Sequence, residues 1–237
     1  GILSPFSKSF LQWVTSLSGY TIGYICDLDM DDYSEIQNAR LLITTGHSEY
    51  WTRQARQNFN QFVNNGKNVL MLSGNNMWWQ VRYSADHTQL ICYKDINADT
   101  ISNPLLKTIT WNQSSLQFSI LTSIGADYAH GGYGNSPSHG HHGWNGYKIF
   151  NPAFAAFQNM TTNSGDTIFV TTDEYDGMPI TGFDSQGYPI VNSAMLNFYY
   201  FELIGFDLAD TIHNGVGSWI YFQKTSTSGK IINVAST

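Results

Sequence analysis

Residues 41–83, LLITTGHSEYWTRQARQNFNQFVNNGKNVLMLSGNNMWWQVRY, constrain the fold more than any other part of the chain. Residues 41–45 are a short apolar run suited to a strand, and they lead into Gly46-His47-Ser48-Glu49-Tyr50-Trp51. Thr52 stands where a helix wants its N-cap. Ala55, Phe59, Phe62 and Val63 then recur at three- and four-residue spacing, the period of a helix with one apolar face. Gly66 fits the helix stop, and residues 69–72 form a second buried strand ending in Ser73-Gly74-Asn75-Asn76. Two strands joined by one helix read as a right-handed unit with parallel strands. Their carboxyl ends then share one edge, where open α/β sheets hold ligands. His47, Glu49 and Asn75 are therefore expected to converge.

The flanking segments extend the pattern. Phe10, Leu11, Val14 and Leu17 predict a helix over 8–17, residues 20–26 have strand composition, and 33–39 suit a short helix. Asp27, Asp29, Asp31 and Asp32 lack the glycine of a calcium loop and fit a solvated turn that caps the next helix. Alternating helices and strands give the expected fold class: α/β, a three-layer doubly wound, mostly parallel sheet. Further on, 89–93, 115–124 and 167–172 read as strands, 195–204 as a buried helix, and 217–223 with 230–234 as a terminal β-hairpin turning at 226–229. The stretch 125–146 holds His130, His139, His141 and His142 among its glycines and reads as a long irregular insertion, a lid or surface loop rather than a metal site.

Composition limits the function classes. At 237 residues without a low-complexity linker, the chain suits one large domain, 1–237, with a sizeable core. Net charge is -7 with 11 basic residues thinly spread, which argues against a nucleic-acid partner. No apolar run nears the roughly 18 residues that cross a bilayer, so no membrane partner is expected and the compartment stays open between cytoplasmic and secreted. Gly1 in place of Met is compatible with a removed leader or an excised piece. Cys26 and Cys92 lie in apolar stretches and read as buried free thiols.

Glu174, in the run Asp173-Glu174-Tyr175-Asp176-Gly177 after the 167–172 strand, makes a third polar corner. An imidazole beside a carboxylate is the ordinary means of acid–base catalysis near neutral pH, and an Asn amide can donate to a developing oxyanion. His47, Glu174 and Asn75 are the candidate catalytic residues. Tyr50, Trp51, Asn76, Trp79 and Arg82 are candidates for the substrate pocket, although the aromatic run 77–83 equally suits packing of a corner on the core. No Cys or elbow-type Ser stands on the turn after residue 72, which disfavours a covalent mechanism and favours water activated by a metal or a histidine.

These motifs resemble a known family. Gly46-His47-Ser48-Glu49-Tyr50-Trp51, Gly74-Asn75-Asn76, Trp79 and Arg82 are similar to the C-terminal domain of the large (beta) subunit of N,N-dimethylformamidase, and Cys92-Tyr93-Lys94-Asp95, Thr110-Trp111, Gly165-Asp166 and Glu174-Tyr175-Asp176-Gly177 follow in family order. Ser48 stands where the family has Asp. The resemblance implies a fold like the class I glutamine amidotransferase domain without its nucleophile, and hydrolysis of a small-molecule amide at an iron held by two tyrosines and a glutamate. By motif position Glu49 resembles the iron ligand, His47 and Glu174 the acid–base pair, and Asn75 the substrate-orienting amide. The family's tyrosine ligands match none of Tyr20, Tyr24 or Tyr33, so either they come from elsewhere or no iron is bound. The chain is then trimmed at both ends, and a small partner subunit or a homo-oligomer is expected. The competing expectation is a metal-free module of the same fold that binds a ligand such as a carbohydrate through its aromatic residues, without catalysis. A metal-free hydrolase using His47 and Glu174 stands beside these.

Overall fold

The computed structural model describes residues 5–236, with side chains from Ser7 onward. In chain order the elements are α1 (Pro5–Thr15), α2 (Tyr33–Ile36), β1 (Leu41–His47), β2 (Tyr50–Thr52), α3 (Arg53–Asn64), β3 (Asn68–Gly74), β4 (Trp79–Tyr83) and β5 (Leu90–Ile91). Then come α4 (Leu121–Ile124), β6 (Asp127–Tyr133), β7 (Asn135–Ser136), β8 (Gly140–His141), β9 (Tyr147–Ile149) and β10 (Thr167–Ile168). The last elements are β11 (Glu174–Phe183), β12 (Pro189–Val191), β13 (Tyr200–Asp207), β14 (Gly215–Gln223) and β15 (Lys230–Asn233).

The expected strand–helix–strand unit is present. β1 and β3 pair in parallel, from Leu41 opposite Asn68 to His47 opposite Gly74. Thr52 caps α3, its hydroxyl accepting from Ala55 N at 2.9 Å, and Gly66 follows the helix with φ +81°, a left-handed conformation that favours glycine. Ala55, Phe59, Phe62 and Val63 are buried in one cluster with Val69, Met71 and Ile231, and each large side chain contributes about 1.5–3 kcal/mol by leaving water. Arg56, on the same helix, is also fully buried. Its guanidinium lies 4.4 Å from the Trp111 ring and 4.1 Å from that of Phe118, and it donates to the Phe118 and Ser119 carbonyls. Burial lowers its pKa to about 9.

The doubly wound sheet is not what forms. The main sheet runs β1-β3-β15-β14-β13-β9-β10, with β11 joining β14, β6 and β12 off that path. Among the described residues its parallel pairings are β1 with β3 and β3 with β15, and the others are antiparallel. The fold is therefore a mixed, strand-dominated sheet, neither mostly parallel nor like the class I glutamine amidotransferases. Parallel neighbours need a crossover of a dozen or more residues, usually a helix. After β3 the one α-helix described is the single turn α4, and apart from β4 on β2 and β15 on β3 the described later strands pair antiparallel.

Local expectations fail for related reasons. Residues 20–26 are not a strand and are largely exposed, and Cys26 is an exposed free thiol. The stretch 115–124 forms a 3₁₀ turn and α4, while the strand expected over 167–172 is cut to Thr167–Ile168. The helix expected over 195–204 gives way to β13, paired along its length with β14. The glycine-rich stretch is no insertion, since it contains β6, paired with β11. A Cβ on Gly131 would lie 2.0 Å from the Tyr175 carbonyl, so glycine there permits close strand approach. The helix at the start, Asp32 capping α2 through Ser34 N (2.9 Å), and the β14–β15 hairpin agree with expectation. Among the described residues no helix is long and apolar enough to cross a membrane.

Candidate functional site

The first two polar corners are joined backbone to backbone. Met77 N donates to Ser48 O at 2.8 Å and Trp79 N to Glu49 O at 2.9 Å, after which β2 and β4 run on in parallel. Gly46 (φ +79°) turns the end of β1, and Asn75 (φ +46°) and Met77 (φ +55°) turn the end of β3. Asn tolerates the left-handed region better than most residues, which suits it to this bend.

The third corner arrives from a different direction than expected. Glu174 does not end a strand; it opens β11, whose start is held by Asp176 N donating to the Ala235 carbonyl at 2.8 Å just after β15. Because β15 neighbours β3, this places the start of β11 over the end of β3. Side chains two apart on a strand share a face. Glu174 and Asp176 accordingly both reach the Asn75-Asn76 bend.

His47 Nε2 donates to Glu174 Oε2 in a short hydrogen bond, and Asn75 Nδ2 donates to the same oxygen at 3.1 Å. On the far side of the ring, Nδ1 lies 3.6 Å from Glu49 Oε2. The His47 side chain is 32% exposed and that of Glu174 10%, so the imidazole is the open member of the pair. The hydrogen bond to Glu174 raises the His47 pKa, burial opposes it, and the charges of Glu174, Glu49 and Asp173 add to the rise. A ring with a carboxylate beyond each nitrogen favours the imidazolium, so the pair binds a proton more readily than a free histidine would and can return it.

Beneath the pair lies a group that sequence reasoning passed over. Asp176 is fully buried and accepts from Asn76 N (3.0 Å) and Asn76 Nδ2 (2.7 Å). Burial pushes its pKa up to about 8 against the lowering effect of those bonds. Asn76 Nδ2 also donates to the Ser73 carbonyl at 2.7 Å, so Asp176 and Asn76 together fix the bend that carries Asn75. The spacing Glu174-x-Asp176 was the available signal.

The remaining candidates sit around this centre with other partners. Trp51 is buried, donating to the Ser48 carbonyl (3.0 Å) and packing edge-on against Phe59. Tyr50 and Trp79 flank Lys94, whose ammonium donates to the Tyr50 hydroxyl at 3.0 Å and lies 4.7 Å from the Trp79 ring. Arg82 forms a two-pronged pair with buried Asp99, at 2.6 and 2.9 Å. On the other flank His139 pairs with Asp173 (3.0 Å) and stacks on Tyr133, with ring centroids 4.3 Å apart. A cavity of about 480 Å³ bordered by Phe150, Val191, Phe201 and Glu202 includes none of these residues.

Residues 5–237 match the protein family described as N,N-dimethylformamidase beta subunit-like, C-terminal. The chain belongs to this family. No curated protein matches it. Membership makes the implied iron a question for the residues themselves. Tyr20 and Tyr24 are 73% and 53% exposed, and the Tyr33 hydroxyl accepts from Asn65 Nδ2 (2.8 Å) at the end of α3. Among the described residues no group of three His, Cys, Asp or Glu side chains could hold a metal ion. Glu49 faces His47 and acts on Lys94, whose pKa is raised first by its bond to Tyr50 and further by the Glu49 charge. The donor set at Glu49 does not fit an iron held by two tyrosines and a glutamate.

Proposed function

We propose that this chain hydrolyses C–N bonds in small amides, with the His47–Glu174 pair as the acid–base group. The observation that carries the reading is the short bond between His47 Nε2 and Glu174 Oε2, two residues 127 apart in sequence. In the reaction the pair starts in its unprotonated form, a neutral imidazole beside ionised Glu174: water attacks the carbonyl carbon and its proton passes to the free ring nitrogen, whose charge Glu49 faces. The C–N bond then breaks, and the pair returns the proton to the departing nitrogen, leaving a carboxylic acid and an amine. Glu49 holds the far nitrogen of the ring, and Asn75 fixes the Glu174 oxygen that the ring shares. Asp176 acts one step removed, as a positioning residue for the bend.

An iron site at Glu49 would need tyrosines from outside the described residues, and no step here runs through one. The family description names a beta subunit, and a partner subunit for this chain forms part of the same proposal. The test is ammonia release from formamide and acetamide by the purified chain. Glu174→Gln should lower the rate by roughly 10²–10⁴ while the fold is retained. Unchanged ammonia release in that variant would dismiss the pair as the acid–base group.

A further inference from the structure

β13 loses its neighbour part-way along one edge. β9 pairs with it at Gly205 and Phe206, and Phe150 N and Asn151 N donate to the Ile204 carbonyl at 2.8 and 3.1 Å. Among the described residues no strand continues that pairing beside residues 201–203, while the other edge of β13 stays paired with β14 as far as Tyr200. The cavity of about 480 Å³ lies at this gap, and its size is within the range of small-molecule sites. It is bordered by Phe150 and Asn151 just after β9, by Pro189 and Val191 of β12, and by residues 201–203 of β13.

Glu202 is the one charged side chain on that border; apart from the Asn151 amide, the rest is aromatic or aliphatic. Asn151 Nδ2 donates to Glu202 Oε1 in a short bond, and the Tyr200 hydroxyl donates to Oε2 at 2.6 Å. One donor on each oxygen fixes the carboxylate, yet both oxygens keep acceptor capacity, because a carboxylate has about four lone-pair sites. Glu202 belongs to none of the ion pairs among the described residues. Lys148, two positions before Phe150, is engaged elsewhere: its ammonium lies 5.1 Å from the Tyr188 ring and 5.9 Å from that of Phe206, and it does not border the cavity. A carboxylate in apolar surroundings without its own cation favours a cationic guest.

The kind of cation follows from the other groups. A metal ion asks for several oxygen or nitrogen ligands, and this border supplies a single carboxylate. An organic ammonium asks for one carboxylate and for aromatic faces, which attract it through their ring quadrupoles, and its hydrocarbon body covers apolar wall. We infer that this cavity binds a small organic ammonium, with the charged nitrogen on Glu202 and the apolar body against Phe150, Phe201 and Val191. The site is separate from the His47–Glu174 corner, none of whose residues border it.

The probes are 2-phenylethylammonium, 2-phenylethanol and 3-phenylpropionate, which share one apolar body and differ in charge. Their affinities for the full chain would be measured by ligand-detected NMR at neutral pH and low salt. The ammonium should bind at least about tenfold more tightly than the alcohol, with the carboxylate weakest. Glu202→Gln keeps the side-chain shape and should bring the ammonium down to the level of the alcohol. Phe150→Ala, at an exposed position, should weaken the ammonium and the alcohol alike and gives a second test should the first variant not fold. Glu49→Gln should leave the preference in place, which separates this cavity from the acidic corner at His47. Equal affinities, no binding of any probe, or a preference that survives Glu202→Gln and disappears with Glu49→Gln would overturn the inference.

Discussion

Asp176→Asn is the perturbation with the clearest consequence for stability. Asp176 is fully buried, and its pKa of about 8 compares with 3.8 for an unperturbed aspartate. The sign follows from which state holds the proton. Between roughly pH 4 and pH 8 the unfolded chain gives up this proton and the native protein keeps it, so native stability falls as pH rises through that window. Each unit of difference is worth about 1.4 kcal/mol, so the loss across the window approaches roughly 5 kcal/mol as an upper bound. Asparagine cannot ionise and can still accept from Asn76. The variant should therefore lack this slope, and its stability relative to wild type should rise steadily from pH 4.5 to pH 8. Urea denaturation at half-unit steps in pH measures both curves. Parallel curves for variant and wild type would refute the reasoning and show that Asp176 is ionised throughout.

Three other outcomes follow from named contacts. The His47 ring should titrate above the ordinary histidine value by NMR, because the Glu174 hydrogen bond leads the shift, and Glu174→Gln should bring it down. Arg82→Ala should destabilise by about 1.5–3 kcal/mol in denaturant unfolding, because it removes the charge partner of buried Asp99, which keeps its bonds from Thr108 and Ile101. Gly131→Ala should destabilise, against the roughly 0.5–1 kcal/mol that replacing a strand glycine by alanine ordinarily gains, because its Cβ would lie 2.0 Å from the Tyr175 carbonyl; calorimetric melting checks this.

The legible part of the fold was the part written in local periodicity. Thr52, the spacing of Ala55, Phe59, Phe62 and Val63, and Gly66 define α3 and, with it, the parallel pairing of β1 and β3. What failed was extrapolating that pairing to the rest of the chain. Strand partners are set by long-range contacts that no local pattern encodes, and β11 illustrates this, pairing with β14, β6 and β12. Glycines at 131 and 132 looked like loop markers because sequence cannot distinguish flexibility from close strand approach. At the site, the types of His47, Glu174 and Asn75 were readable, but Glu174 reached them from the start of a strand rather than the end of one. Asp176 escaped notice because its importance comes from burial, and burial belongs to the fold.

The central claim is that His47 and Glu174 act as one proton-carrying unit in amide hydrolysis, and a double-mutant cycle on kcat/KM tests it most directly. Ammonia release from acetamide would be measured for wild type, His47→Ala, Glu174→Gln and the double variant. Groups that act as a unit are strongly non-additive. The account predicts that the double variant is about as slow as the slower single one. Losses that multiply, or a Glu174→Gln variant as fast as wild type, would contradict it.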